Sequence, residues 1–521
     1  MTNYNEDYQY DSCISRGICS VNPRTSSLQE ILLLYLNMAS YYALKLEENS
    51  QTNTKIKNLI LNTISVMVSN PEFSENDFQA IVKGFNEELP ALIQSYEELC
   101  KKNGKKAEYL KTPVKINKSS DIAESIRFGQ KEYQKRIKNL NEETQDLYRI
   151  VFVLAKSICI NILDLESFGI TEGYPQILKL LNSLNIESEE KELKKIIKEA
   201  SDFDNFLMKK LYTAKTEKYG KQQAKEVSYS TTKGKAILVV GSNIRELEII
   251  LEAFKDKEID VYTHDEMILA HTFPKFWEYK NLKGQFGQGM ENCLLDFATF
   301  PGPIILTRHS LYNVEHLYRG RLYTTDFASS KGVIRISNNN FSEVLKGIED
   351  TKGFKTGKIC EDEVVGYDFE KLTNEINSKI ESFSRIFVIG INGYTKEIQN
   401  YFKKLLEYIP EDILVVSLFS CKEKNNIISV NACYDSFAML KISEEILEKY
   451  NKPVTLFFPT CNRHTVSKMI YLSKYPNAEI FVGKCTPITL NPNLIFTLTK
   501  VYGIKGLSTP KKDLKSILEK K

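Results

Sequence analysis

The feature that most constrains this 521-residue chain is a change of periodicity near residue 235. From Ser26 to about Lys221, apolar residues recur at the 3.6-residue spacing of amphipathic helices. Ala236-Ile237-Leu238-Val239-Val240-Gly241 then forms a short, wholly apolar, β-branched run closed by glycine. A strand apolar on both sides must be covered on both faces, which is the situation of a parallel sheet flanked by helices. The same grammar continues in helix Asn243–Lys255 and strand Ile259–Tyr262, and it returns in strand Arg385–Gly390, helix Thr395–Tyr408 and strand Asp412–Leu418. It appears again in strand Pro453–Pro459, helix Thr465–Lys474 and strand Ala478–Gly483. The expected fold class is multidomain α and α/β: a helical-bundle domain over 1–233, then two Rossmann-like parallel-sheet domains over 234–366 and 367–521.

Within the first part, Ser27-Leu28-Gln29-Glu30 has the form of a capping box opening a helix to about Glu48. Further helical runs cover about 54–69, 75–102, 119–139, 143–166, 175–183 and 187–220, punctuated by signals such as Asn70-Pro71 and Gly173-Tyr174-Pro175. The polar segment Val227–Lys235 reads as the linker into the first sheet. The strand ends Gly241-Ser242-Asn243 and Gly390-Ile391-Asn392-Gly393 sit where a dinucleotide fold places phosphates, but neither is GxGxxG, and tight strand-to-helix turns account for them.

Composition excludes several classes of function. The 70 basic and 67 acidic residues are interleaved and leave a net charge of +3, so there is no footprint for nucleic acid. No apolar run reaches the length of a membrane span, and the polar, acidic start Met1–Tyr10 is unlike a signal peptide. The expected compartment is the cytoplasm, with no membrane partner. Ten cysteines are scattered without any CxxC, which argues against a zinc ribbon or a thioredoxin-type site. Cys100 and Cys159 fall on helical patterns and read as small buried hydrophobes.

Two phrases carry more chemistry than the rest: Val261-Tyr262-Thr263-His264-Asp265-Glu266-Met267, and Phe297 to Thr307 with Pro301-Gly302-Pro303 at its centre. Both resemble the central domain of hybrid-cluster proteins, the iron–sulfur family also called hydroxylamine reductases or prismane proteins. The resemblance covers most of the chain and is strongest over about 236–337, including Tyr279–Met290 and Arg321–Thr325. It implies a reactive cluster where three domains meet, held by one histidine, two glutamates and four cysteines. Iron–sulfur units need such thiolates, because soft sulfur holds them and hydroxyl oxygen does not.

Carried over residue by residue, the implied ligand set is broken. The histidine place after Gly241 is Ser242, the first glutamate is kept as Glu266, and the first cysteine place is Ser310. The persulfide-bearing cysteine place after Gly390 is Ile391, Cys421 and Cys433 match two further cysteines, and the last glutamate place is Asn462. Cys13 and Cys19 resemble the second half of the family's N-terminal four-cysteine motif, whose first pair has no counterpart in Met1–Asp11. They could form a disulfide, bind metal across an oligomer interface, or do neither. A substitute metal remains open, because His264 and Glu266 are two apart and share a face on a strand, with His309 and Cys421 or Cys433 as further donors. The alternative is that His264 is structural. Cys461 beside His464 gives a weak nucleophile-and-base pattern with no third group to orient it.

The resemblance together with the missing ligands implies a homologue that keeps the fold and has lost the redox chemistry, with no cofactor expected. Such a chain would serve as a structural, self-assembling or binding protein, expected as a homo-oligomer or larger assembly. The competing reading is an active hydroxylamine reductase-like or nitric-oxide-handling enzyme with an altered iron–sulfur or other metal centre.

Overall fold

A computed structural model describes residues 23–519 apart from 69–73, 111–120, 138–139, 185–188, 288–291, 311–316, 319, 328, 391–395, 423, 433–435, 460–462 and 484–491. Helices come first: α1 (Pro23–Glu47), α2 (Thr54–Val68), α3 (Glu75–Lys102), α4 (Ile122–Ile137), α5 (Glu142–Ser167), α6 (Tyr174–Ser183) and α7 (Glu190–Tyr219). α5 is the axis of this bundle. Its residues from Leu147 to Ile160 are buried on nearly every side apart from Lys156, as expected for a helix that is apolar around most of its circumference. Asn141 caps it by accepting the Thr144 amide at 2.8 Å. α3 starts in the same manner, with Ser74 Oγ accepting from the Asp77 amide at 3.1 Å. Cys100 and Cys159 are buried as read from the sequence, and burial drives the Cys159 thiol well above its ordinary pKa.

The capping box expected at Ser27 is not the start of α1. The helix begins at Pro23, and Ser27 is a buried residue inside it. Proline at a first helical position sacrifices no hydrogen bond and fixes the required φ, which extends the helix one turn beyond the apparent cap.

Two parallel six-stranded sheets follow, and both have the strand order 3-2-1-4-5-6 of a doubly wound fold. In the middle sheet the order is Leu282–Gln285, Ile259–His264, Lys235–Val240, Ile304–Leu306, Leu322–Thr324 and Ile334–Arg335. In the last sheet it is Ile427–Ser429, Ile413–Ser417, Arg385–Ile389, Val454–Phe458, Ala478–Val482 and Lys505–Gly506. Register is set by apolar residues on alternate faces. Leu238 and Val240 share one buried cluster with the helical bundle, whereas Ile237 and Val239 join a second cluster with Leu247, Ile250 and Phe254 of the covering helix Ile244–Phe254. Likewise Ile386 and Val388 face the shared cluster, while Phe387 and Ile389 face the cluster beneath helix Lys396–Tyr408.

The linker read at Val227–Lys235 contains structure that the sequence pattern did not show. Lys225–Val227 pairs antiparallel with Glu363–Val365, and isolated bridges continue the clasp at Thr231–Lys358 and Gly234–Phe354. A two-stranded ribbon exposed on one side has few apolar residues, so its sequence looks like a polar connection. Elsewhere α7 joins the last domain directly: Ser201 Oγ donates to the Ser467 carbonyl at 2.8 Å. Beside it the buried Asp204 accepts from Ser157 Oγ and Asn161 Nδ2, both at 2.8 Å, and burial raises its carboxyl pKa. Among the described residues no helix is long and apolar enough to cross a membrane.

Because Leu238 is fully buried on the shared face of a central strand, Leu238→Ala is expected to cost about 2–5 kcal/mol. Leu295, 68% exposed, should tolerate the same change within about 0.5 kcal/mol. Urea denaturation of the two variants compares them.

Candidate functional site at the middle-sheet switch point

In an open parallel sheet, ligands bind beyond the carboxyl ends of the strands where the strand order reverses. In the middle sheet that point lies between Lys235–Val240 and Ile304–Leu306. The first strand runs into Gly241 at φ +122°, and a Cβ there would lie 2.0 Å from Ser310 Oγ and 2.3 Å from Thr307 Oγ1. Only glycine lets the two strand ends approach so closely. The next strand stops at His264, and the chain turns through Asp265 at φ +60° into a 3-10 segment, Asp265–Thr272. The fourth strand ends in a turn that holds His309 at φ +64°. Left-handed backbone at two non-glycine residues persists only where the surroundings enforce it.

The enforcing contacts come from several elements. Glu246, in the first turn of helix Ile244–Phe254, accepts from the Arg308 amide at 2.9 Å and from Thr325 Oγ1 at 2.5 Å. Asp326 accepts the His309 amide at 2.7 Å. The bundle reaches in as well, since Ser65 Oγ lies 2.7 Å from His309 Nε2 and Asn243 Nδ2 donates to Asp164 at 3.3 Å. From the last domain, Phe437 stacks on Tyr212 with ring centroids 4.5 Å apart.

These elements enclose a cavity of about 110 Å³ between the three parts of the chain. Its wall includes Ser242 and Glu266 together with Asp164, Lys215, Gln222, Arg308 and His309. Ser242 is exposed at the rim and Glu266 is half-buried. Ser310 is buried but does not line the cavity, because its hydroxyl turns toward Gly241 and Thr307 Oγ1, the latter 3.4 Å away. Cys421 is half-buried against the apolar cluster of Phe387, Phe402 and Phe419 and is also absent from the wall. Ile391, Cys433, Asn462, Cys13, Cys19 and Cys461 lie outside the described residues, as does the side chain of His464.

The shared strand face expected for His264 and Glu266 does not form, because the strand ends between them. His264 is fully buried with Nε2 3.0 Å from Asp296 Oδ2, and only Glu266 reaches the cavity. Among the described residues no group of three or more His, Cys, Asp and Glu side chains is placed to hold a metal ion. The sequence reading missed Asp164, Lys215, Gln222 and Arg308. Arg308 directly follows a phrase already singled out, while the other three come from helices and a loop that carry no local motif.

With this geometry in view, the comparisons are decisive. The model of the Prismane/CO dehydrogenase family matches residues 9–425. The chain belongs to that family. A protein named hydroxylamine reductase from Thermodesulfovibrio yellowstonii is 26% identical over 97% of this chain and 98% of its own length. Another of that name from Methanocella arvoryzae is 24% identical, covering 98% of each chain. A solved structure titled "NiZn[Fe4S4] and NiNi[Fe4S4] clusters in closed and open alpha subunits of acetyl-CoA synthase/carbon monoxide dehydrogenase" aligns over 98% of this chain and 85% of its own, with 13% identity and a TM-score of 0.47. Tested against the imidazole and thiolate that the resemblance implies, the hydroxyls of Ser242 and Ser310 do not fit an iron–sulfur cluster.

A buried histidine in the 3-10 segment that carries Glu266 is expected to make folding stability sensitive to pH. His271, in the same 3-10 segment, lies 2.9 Å from Thr263 Oγ1, and burial lowers its pKa to about 4. A folded-state value below the ordinary 6.5 means that the stability contribution is complete above about pH 6.5 and is lost as pH falls through 4. At about 1.4 kcal/mol per unit the loss is roughly 3 kcal/mol. Denaturation curves from pH 7 to 4 should show this fall in the natural protein, and a flatter profile in His271→Gln.

Proposed function

We propose that this chain is a hybrid-cluster-protein homologue that has lost iron–sulfur redox chemistry and works as a binding, structural or self-assembling protein. One observation supports the reading: beyond the two strand ends at the middle-sheet switch point stand Ser242 and Ser310, hard oxygen donors at the positions where the resemblance implies an imidazole and a thiolate. The fold can outlive such a loss, because its stability is spread over many buried apolar residues and the cluster depended on a few particular side chains. Of the three roles, binding has the most support in the geometry. The cavity keeps a dense set of polar groups where the three parts of the chain meet. Self-association is supported by the near-balanced charge of +3 and by Leu294 and Leu295, both exposed on helix Cys293–Thr299.

Protein prepared without oxygen and reconstituted with iron and sulfide should hold well under one iron per chain and lack the electron paramagnetic resonance signals of a hybrid cluster. About four iron atoms per chain with such signals would sink the proposal in favour of a hydroxylamine reductase-like or nitric-oxide-handling enzyme. Light scattering of the same preparation at micromolar concentration should give a multiple of the 59.9 kDa chain mass, and a monodisperse monomer would remove self-assembly from the proposal.

A further inference from the structure

The cavity holds buried hydrogen-bonding capacity that the described residues leave unused. Gln222 is only 6% exposed and lines the wall, yet neither its amide oxygen nor its amide nitrogen has a hydrogen-bond partner. Native proteins rarely bury both ends of an amide in this way, because each unsatisfied group costs about 1–3 kcal/mol. Arg308 contributes a buried Nε that is also without a partner. Its Nη2 is engaged with Glu246 at 3.5 Å and its guanidinium lies over the Phe327 ring, so the free Nε belongs to an otherwise fixed group. The Lys215 ammonium is also in the wall and makes no hydrogen bond or ion pair among the described residues. Finally, Ser242, Asn243 and Ile244 bring the N-terminus of the 11-residue helix Ile244–Phe254 to the same space, where its dipole favours negative charge.

These groups make contrasting demands on an occupant. Lys215, Arg308 Nε, the Gln222 amide nitrogen and the helix terminus are cations or donors and call for an anionic acceptor. The Gln222 amide oxygen calls for a donor, and the carboxylates of Glu266 and Asp164 on the same wall oppose a ligand that is negative throughout. At about 110 Å³ the space is small beside the ~300–1,000 Å³ clefts that take drug-sized ligands, so the occupant has few heavy atoms. We propose that the cavity binds a small carboxylate whose other end carries a hydrogen-bond donor, of the hydroxy-acid or amino-acid class. The carboxylate sits against Lys215 and Arg308, and the hydroxyl or ammonium faces Gln222 Oε1. This rests on the reading that no cluster fills the space.

The test is calorimetric titration of the full-length protein, with iron measured on the same sample, using L-lactate, L-serine, acetate and inorganic phosphate as probes. Lactate or serine is expected to bind saturably and at least about tenfold more tightly than acetate, which leaves the glutamine oxygen without a donor, or phosphate, whose higher negative charge is opposed by Glu266 and Asp164. Gln222→Leu should remove that preference, and Lys215→Met should weaken binding by about tenfold or more. Because Lys215 is partly exposed and makes no contacts of these kinds, Lys215→Met is expected to melt like the natural protein, so its result stands even if Gln222→Leu fails to fold. Equal or tighter binding of acetate or phosphate, or no binding of any probe by iron-free protein, would overturn the proposal. A cluster-loaded sample would instead overturn the reading on which the proposal rests, and the iron measurement separates the two failures.

Discussion

Burial of one face of each sheet against the same helical bundle is the constraint on which the rest of the structure depends. Leu238 and Val240 of the middle sheet, Ile386 and Val388 of the last sheet, and Ile150, Leu154 and Ile158 of α5 belong to one continuous apolar cluster. The opposite faces, carried by Ile237 and Val239 and by Phe387 and Ile389, pack under helices belonging to their own sheets. Each strand therefore has two apolar sides with different partners, and a slip of one residue would exchange them. That alternation fixes the sheets relative to the bundle.

The cavity is a consequence of this arrangement. Strand ends diverge at the switch point, the bundle approaches from one side, and the stacked pair Tyr212 and Phe437 ties in the last domain. Side chains there are held by their neighbours: Glu246 fastens the turn at Arg308, Asp326 holds the His309 amide, and Ser65 contacts its ring. Such bracing accounts for the left-handed backbone of a non-glycine residue at His309. The same bracing would keep the shape of the site under the change of chemistry proposed above. The wall depends on hydrogen bonds to turns and helix ends, and these do not require a cysteine at position 310 or a histidine at position 242.

Family membership and chemistry thus rest on different residues. The strands and the Gly241 turn are fold determinants, and the family model matches residues 9–425. The donor atoms are set by single side chains, which can change without disturbing the buried clusters. Ser310 illustrates the point, because its hydroxyl fits the narrow gap between Gly241 and Thr307.

The sequence by itself determined the fold class and most element positions. Helical and strand periodicities are local, and runs such as Ala236–Gly241 and Arg385–Gly390 can be buried in only one kind of sheet. It also marked Glu266 and Ser242, through the family resemblance of the phrases in which they stand, each two residues beyond a strand end. Other features appeared only in the tertiary structure. The antiparallel clasp between Lys225–Val227 and Glu363–Val365 joins segments more than a hundred residues apart and has no apolar signature of its own. The end of the strand at His264 separates two residues that a simple alternation would place together. Lys215, Gln222 and Asp164 belong to the cavity because folding carries the ends of helices and a loop to one point. Pairings of that kind depend on packing across the whole chain, and nothing in the local spacing of residues encodes them.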